Sequence, residues 1–158
     1  LLALSTHGRE LAGIWKGVQS LQETQARFQH NFTLVVNGGA RQEVQQLHFH
    51  LFTQHALVRD WTGDHHSAPV LYSSERICIL RHPEPEYELH FILQTVTQEM
   101  CCVDTDFFSC LLQCLHWLND EFLLTQKGYS LIDQFDERIQ KNEQVIFHIT
   151  AGKRLHIQ

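Results

Sequence analysis

Two histidines, His48 and His50, stand two residues apart within Val44-Gln45-Gln46-Leu47-His48-Phe49-His50-Leu51-Phe52. Read with a period of two, this stretch puts Val44, Gln46, His48, His50 and Phe52 on one face, and the apolar Leu47, Phe49 and Leu51 with Gln45 on the other. Neighbours on one face are roughly 6.5–7 Å apart along a strand, so two imidazoles and one amide can act on a single small group. A neutral imidazole is a nucleophile near neutral pH, a hydrogen-bond donor or a metal ligand. Two readings follow. The pair can work on one anion, or it can hold a metal ion with help from Glu43, His65 or His66. A histidine pair on a strand is how metal-binding barrels present two ligands, but two long helices and an internal repeat do not suggest a barrel.

The elements that must position these side chains are legible from periodicity. Leu4, Leu11, Ile14, Trp15, Val18, Leu21 and Phe28 recur at helical spacing and predict an amphipathic helix over 5–28. A strand is expected at 32–36, then a turn at Asn37-Gly38-Gly39-Ala40, with the histidine strand as its antiparallel neighbour. Residues 53–74 read as irregular. Strands are expected at 76–80 and 87–95 around the turn His82-Pro83-Glu84-Pro85. Asp104 or Thr105 caps a second helix carrying Phe107, Phe108, Leu111, Leu115, Leu118 and Phe122, ended by Lys127-Gly128. Strands at 129–133 and 144–150 close the chain. The order helix, strand, turn, strand thus occurs twice, and Gln144, Ile146 and His148 echo Gln46, His48 and His50 at an offset of 98. His82, His90 and His116 show no cluster spacing, and His148 reads as a relic or a satisfied polar group.

Length and charge bound what such a site can serve. At 158 residues the chain can bury a sizeable core, and its net charge of −6 argues against tracking a long nucleic acid, while leaving room for one phosphorylated small molecule. No apolar run is long enough to span a bilayer. The five cysteines, Cys78, Cys101, Cys102, Cys110 and Cys114, form no C-x-x-C pair, so neither a disulfide framework nor a structural zinc site is expected, and a cytoplasmic setting fits best.

Asn37-Gly38-Gly39 followed by Gln42-Glu43-Val44-Gln45-Gln46-Leu47-His48-Phe49-His50 resembles the signature of the histidine-triad (HIT) superfamily, with Gln46 in place of the first histidine. The resemblance implies an α+β, HIT-like fold of two helix-strand-strand units around an antiparallel sheet, arranged as a pseudo-dimer. The expected division is 1–58 as the C-terminal part of a unit with the intact motif, 59–74 as linker, and 75–158 as a second, degenerate unit. It also implies a nucleotide hydrolase or nucleotidyltransferase working at an α-phosphate through a nucleotidyl-histidine. His48 would be the nucleophile, His50 a donor to a phosphate oxygen, and Gln46 an orienting group that cannot act as a general acid. Asn37, Gly38, Gly39, Gln42 and Glu43 are the implied substrate contacts. No cofactor or metal is called for; the partner is a nucleotide or phosphorylated small molecule. The first unit lacks its leading hairpin, so completion by a missing N-terminal segment or by a homodimer is expected. Two alternatives stand beside this reading: a catalytically inactive HIT-like binding or structural protein, and a metal-dependent site on His48 and His50.

Overall fold

A computed structural model describes residues 8–43, 49–53, 57–59, 68–96, 104–137 and 145–156. The sequence-expected positions Gln46, His48, His65, His66 and Gln144 lie outside the described residues.

Two helices, α1 (Gly8–Thr24) and α3 (Thr105–Phe122), pack against each other and on one face of a seven-stranded sheet. Leu11, Ala12, Trp15 and Val18 make the buried stripe of α1, and α3 buries Phe107, Phe108, Leu111, Leu112, Cys114, Leu115 and Leu118. Asp104 caps α3 by accepting from the Phe107 amide at 2.8 Å and pairs with Arg76 at 2.7 Å. These contacts, the amide first, hold its carboxyl below the usual carboxylate range. The first helix is shorter than its periodicity suggests. Gln25 is extended, and a separate turn α2 (Ala26–Gln29) aims Phe28 into the core. The second helix ends where Leu123 adopts a left-handed conformation (φ 56°), before the short α4 (Leu124–Lys127).

The strands are β1 (Asn31–Gly38), β2 (Phe49–Phe52), β3 (Val70–Ser73), β4 (Ile77–Arg81), β5 (Tyr87–Thr95), β6 (Tyr129–Asp136) and β7 (Ile146–Arg154). They are antiparallel in the order β2-β1-β6-β7-β5-β4-β3. The stretch 53–74 is therefore not irregular throughout, because Val70–Ser73 pairs with β4 as an edge strand.

The centre of the sheet shows the internal repeat as geometry. β1 pairs with β6, and Val35 faces Ile132, its counterpart at a shift of 97. On either side, His50 faces Val35 and His148 faces Ile132. A pseudo-twofold axis thus passes through the Val35–Ile132 pair and relates motif strand β2 to β7. Beyond β7 the sheet continues through β5, β4 and β3, whereas no described strand lies beyond β2.

Candidate functional site

The two faces of the sheet differ in what covers them. Leu34, Val36, Phe91, Leu131, Phe147 and Ile149 join the helices in the main core. Directly opposed residues share a face, so the row His50–Val35–Ile132–His148–Ile92–Leu80 lies on the side away from the helices. His50 is exposed there, its ring stacked 6.1 Å from Phe52. Leu51 points the other way and packs on the core, as the alternation requires, although Phe49 is left 41% exposed on the edge strand.

The row beside it begins at Asn37, two residues from Val35 along β1, and continues through Ser130, Thr150 and His90. Asn37 Oδ1 accepts from Ser130 Oγ at 2.7 Å. A short 3-10 turn, Gly39–Arg41, follows β1 and is closed by the Gln42 amide donating to the Gly39 carbonyl. Gln42 is half-buried and Glu43 exposed. The five residues expected to contact substrate thus fall within 37–43, at and just after the end of β1. The two glycines answer to packing. A Cβ on Gly38 would lie 2.2 Å from the Tyr129 ring, and Gly39, at φ +58°, would place one 2.3 Å from the Thr125 carbonyl.

In the second half, three imidazoles that looked unrelated in sequence converge. His82, His90 and His148 are 5%, 1% and 2% exposed, with ring nitrogens within 4.8 Å of one another. His82 stacks on His90 at 4.2 Å, and His90 Nε2 lies 3.1 Å from His148 Nδ1. The Glu84 amide donates to His82 Nδ1 and the Glu86 amide to His90 Nδ1. Burial first, then the neighbouring rings, lowers His90 to about 3; burial and His82 do the same for His148. Burial also lowers His82, against an opposing pull from Glu86.

A connecting segment covers this half. The amides of Leu57 and Val58 donate to Gln134 Oε1 at 2.7 and 3.0 Å, and Gln134 Nε2 donates to the Val58 carbonyl at 2.9 Å. Val58 packs on Val35 and Ile132. The Arg59 amide donates to Glu86, and its guanidinium pairs with Glu84. At the shift of 97, Gln134 is the counterpart of Asn37. One position is bonded to Ser130; the other is occupied by this strap.

With the geometry in place, comparison with known proteins is informative. Neither a family model nor a curated protein matches the chain. Among solved structures, a DUF4931 family protein from Bacillus cereus superposes with a TM-score of 0.64 at 15% identity, covering 98% of this chain and 68% of that one. A histidine triad protein from Clostridium difficile aligns over 58% of this chain and 84% of its own at 18% identity, with a TM-score of 0.45. The fold is α+β and is shared with the DUF4931 family protein. Likeness at this level of identity speaks to fold alone.

The histidine cluster is the one group of three potential metal ligands found among the described residues. Its hydrogen bonds work against a metal. A neutral imidazole that accepts at Nδ1 carries its proton on Nε2, so His82 and His90 turn N–H groups, not lone pairs, away from their amide donors. His90 then donates to His148, which leaves His148 with its proton on Nε2. Metal-bound histidines normally show the reverse polarity, donating their second N–H to an acceptor. The cluster is a hydrogen-bonded pair of neutral imidazoles, His90 and His148, with His82 stacked on His90. Sequence reasoning missed it because His82 and His90 flank a hairpin and meet His148 only through the strand order.

Proposed function

We propose that the chain binds a nucleotide on the helix-free face of its first half and acts at the α-phosphate as a hydrolase or nucleotidyltransferase. The observation that supports this best is the contrast between two equivalent imidazoles. His50 is exposed opposite Val35, two residues before Asn37 along β1, while His148 is buried.

In this reading a neutral His48 nitrogen attacks the α-phosphorus. A P–N bond forms, and the bond to the leaving group breaks with its electron pair. Gln46 has no proton to give, so the leaving group takes one from water or leaves as an anion. His50 donates to a non-bridging oxygen, where negative charge builds up. Asn37 presents its amide N–H donors to the nucleotide, because its carbonyl oxygen is engaged by Ser130. Water then cleaves the P–N bond, yielding nucleoside monophosphate and free imidazole. An acceptor phosphate in place of water gives transfer.

The test uses a dinucleoside polyphosphate and a nucleoside phosphoramidate, with and without a chelator. Monophosphate release that survives chelation and vanishes in His48→Ala supports the proposal. Release that requires metal points to the alternative site on His48 and His50. Nucleotide binding without release would identify an inactive binding protein, an outcome that the loss of an acid at Gln46 would explain.

A further inference from the structure

We infer that Arg41 is a positioning residue through which the second half holds the nucleotide turn of the first; the inference rests on the nucleotide reading above. Arg41 lies on the turn that follows β1, yet among the described residues its guanidinium bonds all go to the other half. One nitrogen donates to Ser130 Oγ at 2.9 Å and to the carbonyl and hydroxyl oxygens of Thr150, each at 3.2 Å. The other donates to the Gly152 carbonyl at 2.5 Å. The Tyr87 ring covers the group, with its centroid 5.2 Å from the central carbon.

The path for this side chain is kept open by Gly128, where a Cβ would come within 2.7 Å of Arg41 Cγ. Ser130 accepts from Arg41 and passes the interaction on, donating its own hydroxyl proton to Asn37 Oδ1. A single planar fork therefore sets three things: the path of the turn, the rotamer of Asn37 and the alignment of both with β6 and β7. Lysine cannot substitute, because an ammonium is a point charge without the fork. The degenerate half thus retains a task in the activity of the other. Arg41 itself touches no reacting atom. Its effect on rate comes through geometry, where misplacement of a site by about 1 Å can cost roughly a hundredfold.

The experiment compares Arg41→Ala, Arg41→Lys and Ser130→Ala with the wild type by monophosphate release and by amide hydrogen exchange. Arg41→Ala is expected to lower kcat about a hundredfold and Arg41→Lys about tenfold, with smaller changes in KM. Ser130→Ala should be milder in the same direction. Added methylguanidinium should restore part of the Arg41→Ala rate, and exchange across residues 37–43 should quicken in every variant. Wild-type exchange at 37–43 in both Arg41→Lys and Ser130→Ala would overturn the inference, as would full activity in Arg41→Lys. If the wild type releases no monophosphate, the catalytic reading falls, and the exchange measurements still decide whether Arg41 clamps the turn.

Discussion

His50 and His148 occupy matching places in two halves built on one plan, one opposite Val35 and the other opposite Ile132. Their surroundings differ. His148 is flanked by Ile132 and Ile92 in the sheet, bonded to His90, and lies on the half that the 57–59 strap crosses. His50 is on β2, beyond which no described strand lies, and is exposed. Backbone symmetry fixes where an imidazole is placed. The next strand decides whether it is buried. The same holds one row away, where the Asn37 oxygen accepts from Ser130 while Gln134, its counterpart, bonds the backbone of Leu57 and Val58.

Substituting each imidazole in turn should separate the halves most sharply. His50→Ala is expected to lower monophosphate release by about a hundredfold to a thousandfold, the range seen when one charge-stabilising donor is removed, with little change in stability. His148→Ala should leave the rate within a factor of two or so, since a distant structural deletion does not alter transition-state contacts. Equal losses in both would break the comparison.

A second contrast concerns glycine. Gly38 faces Tyr129 across the axis, whereas the symmetric pair is Phe32 with Phe135, stacked at 5.4 Å. Gly38→Ala forces a methyl into the Tyr129 ring and is expected to cost about 2–3 kcal/mol in a urea titration, as overpacking does. In Tyr129→Leu the same Gly38→Ala change should cost less, because the ring is gone.

His148→Ala should itself destabilise by about 2 kcal/mol, because it strands the buried Nε2–H of His90. Its pH dependence sharpens the point. Folded His90 and His148 are held near pKa 3, so unfolded imidazoles take up protons first as the pH drops below about 6.5. Stability present above that value is lost on acidification toward 3. Thermal midpoints should fall between pH 7 and 4.5, less steeply in His148→Ala. Asp133 has the opposite sign: burial raises its pKa to about 6, against a hydrogen bond from the Trp15 indole at 2.9 Å. It gains its proton before the unfolded carboxyl does, and adds stability as the pH falls from 6 toward about 4. Asp133→Asn should therefore stabilise the fold by about 1 kcal/mol at pH 7.5, since the desolvated charge is removed, and have almost no effect at pH 4. Its midpoint at the two pH values gives the check.

The local grammar of the chain carried most of the fold. The period-two alternation that puts His50 on one face and Leu51 on the other is a property of adjacent residues, and the strand at 87–95 is bounded as its composition suggests. Asp104 is recognisable as a cap because its partner is three residues away. What stayed hidden depends on contacts distant in sequence. Arg41 reaches residues 89 to 111 positions downstream, and Gln134 reaches back 76 and 77. The resemblance implies that the glycines of the turn contact substrate; the close approach of Tyr129 and Thr125 to them is visible only in space. Helix α1 stops at Thr24 because packing of Phe28 overrides the periodic pattern.

The most direct test of the asymmetry is to trap the intermediate. A nucleotide substrate labelled at the α-phosphate is mixed with the protein, quenched in base, where phosphoramidates survive, and mapped by peptide mass. Label on His48, with none on His148, is the predicted result. Turnover without a labelled histidine, or with the label on His148, would contradict the account.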